Sequence, residues 1–352
     1  MVKTPYADGF RMPARFAPHA RTYIGWPTEL NYRSDLARSR AEYAGVVRAV
    51  AEFEPVTVIA DPGDAAGARA ALAGCGNAKI LEIPINDAWL RDSGWIFVKN
   101  DEGEVALVQF QFNGWGGKYA CDKDMRVAEH VADHLCIRLY HAPFICEGGG
   151  ITVDGEGTLI TTEQVMRNAN RYNGVSRDDL EGLLRDYLGI EKVIWLGLGL
   201  VEDAGTDGHA DNVVEYLAPG VVLAQTVTDP SNPNFELCQE NLRRLKDATD
   251  AKGRKLDVIE MPRLPYTDPS HGEPMPVPYV NAYAVNNALI TPMLGGADDE
   301  QACAELEELF PGRRIVGVDS TFIARDGGGI GCITQQQPAG TLAAPKGVDG
   351  YA

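Results

Sequence analysis

What most constrains the fold of this chain is a repeated order of elements. Short apolar strands come in pairs around tight turns, and each pair is followed by an amphipathic helix and a further strand. The order returns roughly five times, at spacings of about 50 to 70 residues. The first copy predicts a helix over 35–53, with Leu36, Tyr43, Val46, Val47 and Val50 on one face. A strand at 56–60, a small alanine-rich helix and a strand at 80–85 follow it. The second copy gives a strand at 105–110, a helix at 124–135 and a strand at 137–140. The third has strands at 151–153 and 158–161 around Asp154-Gly155-Glu156-Gly157, a helix at 177–188 and a strand at 192–196. The fourth has 213–217 and 221–225 around Pro219-Gly220, then a helix at 236–248 and a strand at 256–261. The last has strands at 279–285 and 288–291, a helix at 298–310 and a strand at 314–318. The stretch up to Asn31 shows no period.

Alternating helices and strands ordinarily suggest a doubly wound sheet. Here the strands pair as hairpins before each helix, and no Gly-rich nucleotide loop follows an early strand. A closed ring of such units, which hides sheet edges, fits that order better. With no linker or low-complexity segment, residues 1–352 are expected to form one domain.

Charge narrows the partners. Fifty acidic residues against thirty-two basic ones leave a net charge of −18, without the basic stripe of a nucleic-acid binder. That surplus suits a cationic small substrate and equally serves solubility. There is no apolar run of about 18 residues, and Met1-Val2-Lys3-Thr4-Pro5 lacks a signal peptide's hydrophobic stretch. A cytoplasmic protein with no membrane partner is the expectation. Seven cysteines include no CxxC pair, which points away from a zinc ribbon or a disulfide framework.

Four polar clusters interrupt the apolar pattern: Asn86 to Gly94, Glu147-Gly148-Gly149-Gly150, Thr206 to Asn212, and Asp326 to Thr334. Each is open to a plain reading as a turn, and Cys332 to one as a small buried hydrophobe. Together they place glycines beside a carboxylate, a histidine and a cysteine at separate strand ends, where a ligand can approach backbone NH groups. In His209-Ala210-Asp211 an extended backbone puts both side chains on one face. A metal site is one reading, although no second histidine lies nearby and the His-x-x-x-His pattern is missing. The other reading is chemistry on a guanidinium. Paired carboxylates hold that planar cation, a thiolate attacks its carbon, and a histidine moves the protons.

The clusters resemble those of the agmatine deiminase family, within the guanidine-modifying superfamily that includes arginine deiminases and amidinotransferases. The resemblance runs from Gly9-Phe10-Arg11-Met12-Pro13-Ala14 through Trp89-Leu90-Arg91-Asp92-Ser93-Gly94 and Phe112-Asn113-Gly114-Trp115-Gly116-Gly117. It continues through Glu147-Gly148-Gly149 and Asp207-Gly208-His209 with Asp211-Asn212, to Cys332-Ile333-Thr334-Gln335-Gln336. It implies an α/β fold, a five-bladed α/β propeller with pseudo-fivefold symmetry. It also implies Cys332 as nucleophile, His209 as general acid and base, Glu147 contacting the guanidinium and supporting the histidine, and Asp92 and Asp211 gripping the guanidinium. Trp89 and Gly329 are expected beside the substrate, whereas Trp115 is expected to pack the rim. No cofactor and no metal is implied, and the resemblance suggests a homodimer or larger homo-oligomer.

The chain departs from the family pattern at several places. Trp95 stands where a proline is usual, and Gly329-Ile330-Gly331 replaces Asn-Ile-His before the nucleophile. The segment between Glu260 and Val280 is short, and 265–278 reads as a proline-rich loop able to cover the site. Gly331 removes bulk next to the nucleophile, which opens the way to a different substrate tail. Hydrolysis of agmatine is thus the first expectation. A different small guanidino substrate, an amidinotransferase and a non-enzymatic cation-binding protein remain open.

Overall fold

The computed structural model describes residues 3–30, 35–171 and 174–345. Met1, Val2 and Asn31 of the N-terminal stretch, and residues 346–352 of the expected domain, lie outside them.

Each repeated unit folds as a small mixed sheet. Strands Ile151–Val153 and Thr158–Thr162 form an antiparallel pair, helix Arg177–Leu188 crosses over, and Lys192–Leu196 returns parallel to the second strand. Val214–Ala218, Val221–Gln225 and Asp257–Met261 repeat this around helix Phe235–Asp247. Tyr283–Val285, Ala288–Met293 and Arg314–Asp319 do so around Ala297–Leu309. Ile96–Lys99, Glu104–Gln111 and Leu139–Ile145 use helix Val127–Leu135, with Thr341–Leu342 added beside Glu104. In the remaining sheet the antiparallel partner of His19–Gly25 is the distant strand Thr334–Pro338, and Val56–Ala60 and Ala78–Glu82 follow in parallel.

The crossover helices form where local signals and burial agree. Asp35 caps Leu36–Ala51 by accepting from the amides of Ala37 and Arg38. That helix buries Tyr43, Val46, Val47 and Val50 against the Val56–Ala60 sheet. Each such side chain contributes about 1.5–3 kcal/mol on leaving water. Ser176 and Asp179 close a capping box on Arg177–Leu188, and Gly189 ends it in the left-handed region with φ 72°.

The expected closed five-bladed propeller is corrected here. Among the described residues the strands make separate open sheets of three or four strands, and no sheet closes on itself. So few strands are too short a ribbon to curl into a barrel, which takes about eight. Burial between sheets, in five apolar clusters, joins the units instead.

Two local expectations also shift. The strand expected over 279–285 begins only at Tyr283, because Tyr279–Asn281 form a short 3-10 turn. His19–Gly25 and Thr334–Pro338 have no apolar alternation to announce them. The second is Thr-Gln-Gln-Gln-Pro, yet it is wholly buried. Its glutamines find buried partners: Arg91 donates to Gln335 and Gln336 at 2.7 Å each, and the Tyr23 hydroxyl donates to Gln337 at 3.1 Å.

This arrangement positions the polar clusters. A short helical turn precedes one edge strand of every sheet: Leu90–Ser93, Gly148–Gly150, Ala210–Asn212, Tyr279–Asn281 and Ile330–Ile333. The turns pack side by side, Leu90–Ser93 against both Gly148–Gly150 and Ile330–Ile333, and Ala210–Asn212 against Gly148–Gly150 and Tyr279–Asn281.

Candidate active site

The five side chains singled out by sequence lie together on these turns, Asp92, Asp211 and Cys332 within them and Glu147 and His209 at the residue just before one. His209 and Asp211 are fully buried, and Glu147, Asp92 and Cys332 are between 1% and 5% exposed. The His209 ring stands between two acids, with Nδ1 3.7 Å from Asp92 Oδ1 and Nε2 3.9 Å from Glu147 Oε2. The Cys332 thiol points at Asp211 Oδ2, 3.7 Å away, and Asn281 Nδ2 donates to its sulfur at 3.4 Å. Gly149 sits at the centre. A Cβ there would lie 2.6 Å from His209 Nδ1, 2.7 Å from Asp92 Oδ1 and 3.1 Å from Asp211 Oδ2, so only glycine lets the three groups converge.

Asp92 and Glu147 are fixed from outside their own turns. Asp92 accepts from the Gly149 amide at 2.8 Å and from Trp115 Nε1 at 3.0 Å. Glu147 accepts from Arg171 Nε at 2.7 Å, and Arg171 Nη2 donates to the Thr206 carbonyl at 3.0 Å. The indole reaches Asp92 because Trp115 adopts φ 54° between glycines that are also left-handed, an unusual conformation for a bulky residue.

Burial and charge set the protonation states. Burial alone would lower the His209 pKa, but Asp92, Glu147 and Asp211 outweigh it and raise it to about 9, so the ring is an imidazolium at neutral pH. Burial raises Asp211 to about 6, a rise moderated by His209 and Arg15. Burial lifts Asp92 as well, whereas in Glu147 the opposing pull of His209 and Arg171 wins and holds it below its ordinary value. The Cys332 thiol is pushed well up, by burial first and then by Asp211 and Asp92. Without a further cation, the nucleophile rests as a neutral thiol.

Cys332 and Asp92 open onto a cavity of about 260 Å³ with Trp89 and Trp115 in its wall. His209, Glu147 and Asp211 lie behind that wall. Among the described residues the wall also carries Asp87, Glu202, Asp203 and Asp326, against a single arginine, Arg325. The 265–278 loop runs along this mouth and contributes Met275, Pro276 and Pro278. Gly329 lies just beyond the wall formed by Gly327 and Gly328; its carbonyl accepts from the Cys332 amide at 3.1 Å. Trp115, expected as packing, instead bonds an acid directly. Among the described residues no group of three or more His, Cys, Asp or Glu is arranged to hold a metal ion.

Sequence reading missed Arg171, the anchor of Glu147, and Arg15, whose Nη1 is 2.8 Å from Glu215 Oε2 and whose Nη2 is 3.9 Å from Asp211 Oδ2. Neither stands in a glycine-rich cluster, and nothing in their local spacing marks them.

Comparison with known proteins gives the family. The family model of the Porphyromonas-type peptidyl-arginine deiminases matches residues 11–338. Agmatine deiminase of Pseudomonas aeruginosa (strain LESB58) is 42% identical over 362 residues, covering 96% of this chain and 98% of that one. The agmatine deiminase of Ectopseudomonas mendocina (strain ymp) is 41% identical over 363 residues, with the same coverage. Among solved structures, agmatine deiminase of Enterococcus faecalis superposes with a TM-score of 0.91 at 33% identity, over 96% of this chain and 99% of that one. With relatives this similar along almost its whole length, the chain belongs to the agmatine deiminase family, enzymes of the guanidine-modifying superfamily that act on linear amidines.

Proposed function

We propose that this enzyme hydrolyses agmatine to N-carbamoylputrescine and ammonia through a covalent intermediate on Cys332. The observation that carries the reading is the convergence of Asp92, Asp211 and His209 around Gly149, with Cys332 against Asp211, beside a cavity rich in carboxylates that Asp92 and Cys332 line. Asp92 and Asp211 grip the planar guanidinium. Its positive charge offsets the burial and the two carboxylates that keep the Cys332 thiol protonated, so with substrate bound the thiol gives its proton to water and becomes the thiolate. The thiolate attacks the guanidinium carbon, His209 gives its proton to the departing nitrogen, and ammonia leaves an S-alkylthiouronium. The neutral imidazole then takes a proton from water and the hydroxide adds to the same carbon; as the C–S bond breaks, the proton of the added hydroxyl passes to the departing sulfur, releasing the product with its ureido group neutral and leaving the Cys332 thiol. Glu147, held by Arg171, keeps the ring oriented through the cycle.

Agmatine carries a second cation at its far end. The acidic wall, with Asp87, Glu202, Asp203 and Asp326, favours such a tail over one that ends in a carboxylate. Trp89, in the same wall, supplies an apolar surface for the methylene chain. No helix among the described residues is long and apolar enough to cross a membrane. With the family resemblance, we read the protein as a cytoplasmic homo-oligomer of one-domain subunits.

Mass spectrometry of the enzyme incubated with agmatine, arginine and a set of ω-guanidino acids and amines tests this. Agmatine should convert, with exchange of one guanidine NH for oxygen and release of ammonia. Conversion of another guanidine alone would remove agmatine as substrate and leave the chemistry. Turnover only with an added amine acceptor would make the enzyme an amidinotransferase.

A further inference from the structure

Arg15 is a buried cation beside the nucleophile that the reaction above does not use. It is 7% exposed, and its guanidinium bridges Glu215 Oε2 at 2.8 Å and Asp211 Oδ2 at 3.9 Å. Its backbone is anchored as well. His19 Nε2 donates to the Arg15 carbonyl at 2.8 Å, while His19 Nδ1 lies 3.0 Å from Glu54 Oε1. The space that Arg15 occupies exists because residue 331 is glycine. A Cβ there would stand 3.1 Å from Arg15 Nη1 and 2.7 Å from Asn281 Oδ1. Gly331 therefore does not widen the substrate cavity; Arg15 and Asn281 take up the room it leaves.

A buried acid that has lost its water and has another acid nearby takes up a proton unless a cation compensates. The groups facing Asp211 are the acid Asp92, the Cys332 thiol, and the cations His209, Arg91 and Arg15. His209 is shared with Asp92 and Glu147. Arg91 is committed to Gln335, Gln336 and the Gly331 carbonyl. Arg15 alone divides its charge between Asp211 and one other acid, Glu215, which also accepts from Thr152 Oγ1 at 2.6 Å. We propose that Arg15 is a positioning residue for the guanidine reaction: it holds Asp211 as a carboxylate able to grip the substrate, and Glu215 sets how much of that charge Asp211 feels. The inference rests on the reading that Asp211 binds the guanidinium.

The sign follows. Asp211 loses its charge as pH falls through about 6. Removing Arg15 raises that value, so the acidic limb of kcat/KM moves up toward neutrality; removing the charge of Glu215 moves it down. The experiment measures kcat/KM for agmatine across pH in wild type, Arg15→Met, Arg15→Lys and Glu215→Gln, with melting temperatures alongside. The methionine variant should shift the acidic limb up by about one pH unit and lose about tenfold near pH 6, with much of the loss recovered at higher pH. Lysine should restore part of the shift, and Glu215→Gln should shift the limb the other way. A uniform loss at every pH, tracking a lower melting temperature with the limb unmoved, would make Arg15 merely structural and overturn the proposal. If Arg15→Met does not fold, an unmoved limb in Glu215→Gln overturns it equally. A wild type that turns over no guanidine at all would sink the functional reading itself, a result distinct from either.

Discussion

The inner end of the cavity and its mouth are held in opposite ways. At the inner end Asp92, Glu147 and Cys332 are each fixed by a group from a different segment: Asp92 by Gly149 and Trp115, Glu147 by Arg171, Cys332 by Asn281. At the mouth, the 265–278 loop bonds largely to itself, through Thr267 N to the Met275 carbonyl at 2.9 Å and Val277 N to the Pro265 carbonyl at 2.8 Å. It is tied to the neighbouring helix by Arg325, which donates to the carbonyls of Asp268 and His271. Groups aimed at the reacting atoms must be set within fractions of an ångström, whereas a wall that only excludes or admits a tail tolerates looser support. The chemistry of this enzyme is therefore expected to be brittle and its substrate range adjustable.

The largest expected break is at the inner end. Cys332→Ala should abolish turnover by a factor on the order of 10⁵ or more while still binding agmatine in calorimetry. Turnover within a hundredfold of wild type, by contrast, would remove Cys332 as nucleophile. Next comes one substitution made at both ends. Gly149→Ala forces a methyl between His209 and Asp92 and should cost at least about a hundredfold in kcat. Gly328→Ala meets the Trp89 ring at 2.5 Å and should change KM a few-fold with kcat nearly kept. Equal losses in kcat at the two glycines would erase the contrast.

Trp115→Phe keeps the ring but removes the donor to Asp92, and a lost hydrogen bond to a charged group is worth about tenfold to a hundredfold in kcat/KM. The pH profile should be a bell. Below about 6 Asp211 gains a proton and loses its grip, and above about 9 His209 loses the proton that the leaving nitrogen needs. A profile flat across the acidic limb would show that Asp211 ionisation does not control binding. The smallest effect belongs to Arg325→Ala at the mouth: a few-fold in KM, with a broadened preference among guanidino tails in competition assays.

The same contrast explains what sequence could disclose. The crossover helices and the central strands of the sheets carry apolar periodicity, so 177–188 and 221–225 are legible residue for residue. Thr334–Pro338 is not, because its burial rests on Arg91 and Tyr23 rather than on apolar side chains. Asp92, Glu147, His209, Asp211 and Cys332 are legible because each lies in a compact motif of glycines and polar residues. Trp115 and Arg171 act only through partners brought to them by the packing of separate turns, and Arg15 acts through Asp211, on another sheet unit. No local pattern encodes such a meeting. The closed ring inferred from the repeats fails for a related reason: a repeat specifies its own strand pairs and says little about hydrogen bonding between copies.

The pairing of His19–Gly25 with Thr334–Pro338 has a consequence for biogenesis. Tyr23 and Gln337 meet across 314 positions of chain, and Cys332 stands at the entry to that closing strand. Contacts between such distant segments carry a large loop-closure cost and form late. During synthesis, four of the five key side chains are made well before the fifth, and the cavity wall itself is completed by the late segment Ala324 to Gly328 with Cys332. The reactive sulfur enters only when the final strand docks, and catalytic competence becomes a report that folding is complete.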